Sequence, residues 1–252
     1  MFHAPTLEKL QALHLHGLVA ALEEQSRQSS YAELSFEARL GLLVDAEWSW
    51  RENRRQAQRL KAARLKCAAC VEDIDYRAPR GLDKSVLWSL ATCQWIAGHQ
   101  NVICVGSTGT GKMFLACALA TQACRHGYTA RYYRAPRLLQ ELALARGDGS
   151  YRSLLARLAR TELLVVDDWG LAPLTAPERQ DFLEVLDDRH GSRATLLTSQ
   201  LPIAHWHECI GDPTLADAIC DRLVHNAHQL TLKGGSMRKT RAGLTPPMAC
   251  ER

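Results

Sequence analysis

The sequence predicts an α/β fold: a parallel sheet covered by helices on both faces, preceded by a small helical region. Three observations carry this. Short apolar runs alternate with amphipathic stretches from residue 102 to residue 232, the order that repeated strand–helix units impose. The first of these runs, Val-Ile-Cys-Val at 102–105, breaks into a loop holding Gly106, Gly109 and Gly111, reaches Lys112, and resumes as a helical pattern over 113–125. Upstream, residues 6–66 are spaced as helices.

In the helical region, Leu7, Leu10 and Leu13 stand three apart, and Leu15, Leu18, Val19 and Leu22 extend one apolar face over 6–25, with Thr6 as N-cap. Residues 25–30 are polar and Ser-rich, a turn. A second helix starts near Ser35 and carries Phe36, Leu40, Leu43, Val44 and Trp48 at helical spacing. It then turns basic: Arg51, Arg54, Arg55, Arg59, Lys61, Arg64 and Lys66 stand against the single acid Glu52. Arg51, Arg55 and Arg59 are four apart and share a helix face. This is the steepest charge asymmetry in the chain, and it marks Arg51, Arg54, Arg55, Arg59 and Lys61 as DNA-binding candidates, with a solvated face as the plain alternative.

Residues 72–81 are charged and broken by Pro79 and Gly81, which places a junction there: a helical domain over 1–71, a nucleotide domain over 72–240, and a loose tail over 241–252. A helix over 82–98 with Leu87, Leu90, Ala91, Trp95 and Ile96 leads into the first strand. Beyond the glycine loop come a strand at 129–133, helices at 136–146 and 151–160, and a buried strand at 163–166 ending in Asp167-Asp168. Thr175 and Glu178 form a capping box for a helix running to Gly191. A strand at 194–198, a largely helical stretch at 204–228 and a short strand at 229–232 complete the alternation.

Composition narrows the class. With 46% hydrophobic and 23% charged residues in 252, the chain is an ordinary globular one, and a net charge of +4 permits nucleic-acid binding without requiring it. Nine cysteines, an odd number, with no secretory signal at the start point to a reducing cytoplasm. Cys104, Cys117 and Cys124 fall in the strand and helix around the loop and read as buried thiols; Cys67 and Cys70 make half a zinc site or a redox pair that nothing completes. No apolar run is long enough to span a membrane.

Strand, glycine loop, lysine and helix in this order form a phosphate-binding loop. Gly106, Ser107, Thr108, Gly109, Thr110 and Gly111 supply backbone N–H groups, the following helix adds its positive end, and Lys112 adds a full charge at the β- and γ-phosphates. The pattern calls next for Ser or Thr as a magnesium ligand, but the residue is Met113, whose thioether suits a hard cation poorly. Asp167 and Asp168, at the carboxyl end of a parallel strand, are placed to hold magnesium (directly or through water) and to activate water, respectively. Thr198, Ser199 and Gln200 end another strand on the same edge, where polar side chains can meet a γ-phosphate.

These motifs, with Leu-Leu-Val-Val-Asp-Asp-Trp-Gly at 163–170, Leu-Thr-Ser-Gln-Leu-Pro at 197–202, the block at 211–227 and Gly-Gly-Ser-Met-Arg-Lys at 234–239, resemble the IstB-like helper ATPases of insertion-sequence transposition. Those proteins are relatives of the DnaC-type helicase loaders in the AAA+ class. The resemblance implies a three-layer AAA+ phosphate-loop domain with a five-stranded parallel sheet, the strand ending at Ser199 lying between the loop strand and the Asp167 strand. It also implies Ser199 as first sensor, Arg238 as second sensor, and Arg222 as an arginine finger reaching a neighbouring subunit, hence a homo-oligomer. Further implied are ATP and Mg2+ as ligands, double-stranded DNA and a cognate transposase as partners, and hydrolysis as the reset. A DnaC-like helicase loader, or a hydrolysis-impaired nucleotide-gated DNA binder because of Met113, are the alternatives.

Overall fold

The computed structural model describes residues 4–237, and the chain divides into two compact units, Met1–Gln58 and Arg59–Arg252. In the first unit, helix α1 (Ala4–Ala12) is followed by α2 (His16–Arg27), a 3-10 turn (Ser29–Glu33) and the long α3 (Phe36–Ala63), within whose C-terminal half the division falls. The helix expected over 6–25 is therefore two helices. His14 stops the first with φ 57°, Leu15 N donating to Leu10 O and His14 N to Gln11 O, a Schellman ending built on histidine instead of glycine. Gly17 lets α2 cross α3 closely, because a Cβ there would stand 2.7 Å from Ala46 O. Buried Glu47 on α3 then accepts the Leu18 N–H at 3.0 Å, satisfying one of the open donors at the start of α2.

The second unit opens with the end of α3. Arg64, at φ 52°, leaves the helix, and residues 65–71 pack with Ala63 against the apolar layer that follows. The compact units divide at 58/59, whereas the Pro79 and Gly81 signals suggest a junction over residues 72–81. Helices α4 (Lys84–Ala91) and α5 (Gln94–Ala97) replace the single helix expected over 82–98, interrupted at Cys93, which takes φ 60°.

The remaining elements alternate as expected: β1 (Asn101–Gly106), α6 (Lys112–Arg125), β2 (Ala130–Arg134), α7 (Ala135–Asp148), α8 (Tyr151–Arg160), β3 (Leu163–Trp169), α9 (Ala176–Asp187), β4 (Ala194–Ser199), α10 (Trp206–Ile210), α11 (Pro213–Val224) and β5 (Ala227–Leu232). The capping box of Thr175 and Glu178 is formed. The helix expected over 204–228 is cut at Gly211, which takes φ 73°, and Asp212 caps α11 by accepting from Leu215 N. Ala227 and His228 already belong to β5, paired with Asn101 and Val102.

The five strands are all parallel in the order β2-β3-β4-β1-β5, so β4 lies between the loop strand and the Asp167 strand. Alternation along each strand divides the core in two. Val102, Cys104, Tyr132, Val165 and Leu196 face α4, α5 and α6, while Ile103, Tyr133, Leu164, Val166 and Leu197 face α7 to α11. Burial pushes the Cys104 and Cys117 thiols up to about 12, so both act as small hydrophobes in the first layer. The loop after β1 and the acids ending β3 emerge together at the carboxyl edge of the sheet, where open α/β sheets bind ligands.

Candidate nucleotide-binding site

A cavity of about 350 Å3 opens at that edge, bordered by the loop residues Thr108, Gly109, Gly111, Lys112 and Met113, by Asp167 and Asp168, and by Gln200. Its far wall comes from Cys67, Asp75, Arg80 and Met237. Gly111 takes φ 96°, a backbone conformation that side-chain-bearing residues rarely adopt, so the loop needs glycine there for its turn, and Arg80 Nη1 stands 2.7 Å from where a Cβ would be. The Arg80 guanidinium donates to Thr110 O at 3.2 Å and to Asp75 O at 2.9 Å, bracing the loop from beneath. Thr110 Oγ1 donates to Ser107 O, and Lys112 Nζ donates to Gly106 O at 2.6 Å and Ser107 O at 2.9 Å. The lysine charge is thus held inside the curve of the loop, where a phosphate group would compete for it.

Asp167 is only 3% exposed, and both of its carboxylate oxygens accept hydrogen bonds. Tyr132 Oη on β2 donates to Oδ2 at 2.5 Å, and Thr198 Oγ1 on β4 donates to Oδ1. Burial, then the bond to Asp167, pushes the Tyr132 phenol far above its ordinary range, so it stays a donor. Asp168 follows at φ 61°, where β3 carries one residue more than β4 between the pairs Val166–Leu197 and Trp169–Ser199. Its N–H donates to Thr198 Oγ1 at 3.2 Å, and its carboxylate accepts from Arg134 Nε at 3.0 Å and Nη2 at 2.8 Å.

The structure brings Lys112, Met113, Asp167 and Asp168 into one cavity, and leaves other expected site residues elsewhere. Ser199 is fully buried, with Oγ donating to Trp169 O at 2.8 Å and accepting from Leu201 N at 3.0 Å. Its neighbour Gln200 borders the cavity and accepts from Thr108 Oγ1 at 2.5 Å. Arg222, on α11, pairs with Asp187 and donates to Ala218 O, while Asn101 at the first residue of β1 donates to Arg222 O. It therefore sits at the amino edge of the sheet, a strand length of about 17 Å from its own phosphate loop. Arg238 lies outside the described residues, as does the tail; Met237, just before it, donates its N–H to Gly109 O at 2.9 Å.

Of the basic helix face, Arg51, Arg54 and Arg55 are exposed on the first unit. Arg51 bonds Glu47 at 2.6 Å, Arg54 lies over the Trp50 ring at 5.3 Å, and Arg55 meets Glu52 at 3.5 Å. Burial works to raise the Glu47 pKa, but the bonds from Arg51 and from the Leu18 and Gly17 amides outweigh it and hold the carboxyl below its ordinary value. Arg59 and Lys61 belong to the second unit, where Arg59 Nε caps α6 by donating to Cys124 O at 3.0 Å and Lys61 is exposed. Gln200 stands where the strand-end polar residues are expected, whereas Arg80, Tyr132 and Arg134 are functional candidates that motif reading passes over. Arg134 alone left a local signal, a cation ending a strand at the ligand edge.

A glycine loop between β1 and α6, an acid pair near the end of β3, and β4 inserted between those strands make the phosphate-loop fold of AAA+ domains. Solved structures share this fold: DnaI, at TM-score 0.55 and 19% identity over 70% of this chain and 93% of that one, and the DnaC helicase loader, at 0.53 and 17% over 69% and 99%. The chain belongs to the IstB-like ATP binding protein family, which matches residues 8–244. An insertion sequence ATP-binding protein of Sinorhizobium fredii is 49% identical over 239 residues, 95% of this chain and 98% of that relative. The IS21 insertion sequence ATP-binding protein of Pseudomonas aeruginosa is 33% identical over 241 residues, 94% of this chain and 90% of that one. Among the described residues, no helix is long and apolar enough to cross a membrane.

Proposed function

We propose that this chain is an ATP-driven assembly protein of insertion-sequence transposition, which binds double-stranded DNA, self-associates and serves a cognate transposase from the cytoplasm. The observation that carries the proposal is the cavity itself: a glycine loop, Lys112 and two strand-end acids meet on one wall, in a chain whose relatives are named for insertion sequences. In this reading the loop amides and Lys112 bind the triphosphate, and Asp167 belongs to the magnesium site. The donor chemistry fits that ion, since one or two carboxylates with phosphate oxygens and water commonly suffice for magnesium. When bound, the ion would neutralise phosphate charge.

Asp168 is then the acid that orients water, and Arg134 holds it until that role is needed. The pair is half-exposed on the arginine side, so it is weak enough to exchange. Gln200 reaches the loop from β4 and is placed to sense its contents, with Ser199 supporting the strand end behind it. Arg238 is retained as the second sensor. Arg222 cannot reach its own loop from the far edge of the sheet, which is the arrangement a finger acting on a neighbour needs. Exposed Arg51, Arg54, Arg55 and Lys61 carry the charge for phosphate contacts on duplex DNA, and ATP hydrolysis resets the assembly.

Lys112→Ala tests the site. Loss of ATP binding by about tenfold or more, together with loss of ATP-dependent assembly on duplex DNA, is expected for a charge-assisted phosphate contact. An Ala variant that binds ATP as the unaltered chain does would remove the loop from the account.

A further inference from the structure

In the usual phosphate-loop pattern, the hydroxyl after the lysine and the strand-end acid serve magnesium together. Here Met113 offers no hydroxyl, and the acid is held instead by two hydroxyls from the neighbouring strands. Tyr132 is 8% exposed, on the same face of β2 as its partner Val165 is on β3, and it reaches diagonally to Asp167 Oδ2. Thr198 reaches Oδ1 from the other side. With one donor on each oxygen, the carboxylate cannot rotate without breaking a buried bond. A carboxylate has about four lone-pair sites, so two remain for a metal ion or its water.

We infer that Tyr132 is a positioning residue for the metal-binding acid, its phenol fixing Asp167 so that the magnesium site stays defined without a hydroxyl at position 113. The inference rests on the nucleotide and magnesium reading of the cavity. A buried tyrosine generally finds some acceptor, so a phenol that only satisfies itself is the alternative to exclude. The two differ in what the phenol does for the ion, since partners behind metal ligands typically change metal affinity or activity by about 10–100-fold.

The test measures binding of a fluorescent ATP analogue to the full chain, first in EDTA and then along a magnesium titration, for the wild type and Tyr132→Phe. Mn2+ bound with ATP, read by electron paramagnetic resonance, gives a second measure of the ion. The phenylalanine variant is expected to keep its affinity in EDTA within about twofold, and to need about tenfold more magnesium for the half-maximal response. Adding Met113→Thr to Tyr132→Phe should bring the midpoint back toward the wild type. Thr198→Val removes the donor on the other oxygen and should move the midpoint the same way, so the pinning can be read even if the phenylalanine variant folds poorly. An unmoved magnesium midpoint, or equal losses with and without magnesium, would overturn the positioning role. Failure of the wild type to bind the analogue at all would instead bring down the nucleotide reading, and this role with it.

Discussion

Arg189 gives the most direct test of what holds the second unit together. It is 1% exposed, follows α9, and spends its guanidinium on backbone rather than on an acid. Nη1 donates to Leu158 O at 2.5 Å and Thr161 O at 2.8 Å, Nη2 donates to Ala194 O, and Nε donates to Thr195 Oγ1 at 3.2 Å. One cation thus ties the C-terminal end of α8 to the start of β4, and its charge also suits the negative end of the helix. Burial, and then Arg193, pushes its pKa down, the mark of an ion held in a costly place. Replacing it with methionine keeps much of the volume but strips donors from three carbonyls. Leu158 O retains the Thr161 N–H at 3.2 Å, and the parallel pairing of Leu163 with Ala194 gives Ala194 O the Leu164 N–H, which leaves Thr161 O to carry most of the loss. At about 1–3 kcal/mol for an unsatisfied buried acceptor, Arg189→Met should cost about 1–3 kcal/mol. That corresponds to a fall in Tm of about 2–12 °C for a chain of this size. Urea and thermal unfolding followed by circular dichroism would measure it, with Arg189→Lys falling in between because one ammonium cannot span three carbonyls. A methionine variant within about 0.5 kcal/mol of the wild type would refute this reasoning. ATP affinity should hardly change, since the contacts lie at the amino edge of β4 and the cavity at its carboxyl edge.

Met113→Thr restores a hard ligand at the loop and should raise the DNA-stimulated ATPase rate about tenfold, worth about 1.4 kcal/mol, with little change in nucleotide affinity; equal, fully magnesium-dependent rates would contradict it. Replacing Arg51, Arg54 and Arg55 together with alanine should weaken duplex binding irrespective of sequence and flatten its salt slope by about one for each phosphate no longer neutralised. An unchanged slope would leave those arginines to their contacts with Glu47, Trp50 and Glu52. Arg222→Ala should spare ATP binding by the single subunit and lower turnover of the assembled protein, and mixing it with Lys112→Ala subunits should restore activity if the arginine acts on a neighbour.

The strands were legible because parallel core strands are short continuous apolar runs, and 163–166 is one that needs no partner to be recognised. Helix ends were harder to read. Gly127 and His99 both end helices in the left-handed region, with φ 94° and 53°, but only glycine announces that conformation. The same is true of His14, Arg64 and Cys93, and both breaks in helices that read as continuous before residue 100 fall on His14 and Cys93. In the site, the loop and the acid pair could be read locally, because sequence neighbours do the work. Tyr132 could not, since it acts on a residue 35 positions away, and that contact exists only once β2 and β3 are paired in register. Arg80 was hidden for the same reason: it lies in what reads as a junction, yet it supports Thr110 from 30 positions upstream.

The extra residue in β3 has a consequence for how the segment can vary. Neighbours on a regular strand project to opposite sides of a sheet, so Asp167 and Asp168 should be divided between the two layers of the core. Both border the same cavity instead, and Trp169 still returns to the second layer, stacked on Phe182 at 4.2 Å. The offset between Val166 and Trp169 makes this possible, because it lets the chain use one residue without advancing along β4. Removing one of the two acids would restore regular alternation, with the remaining acid and Trp169 on opposite sides, and would leave a single carboxylate at the cavity. The second acid at this edge therefore depends on the length of the stretch as well as on its residue types.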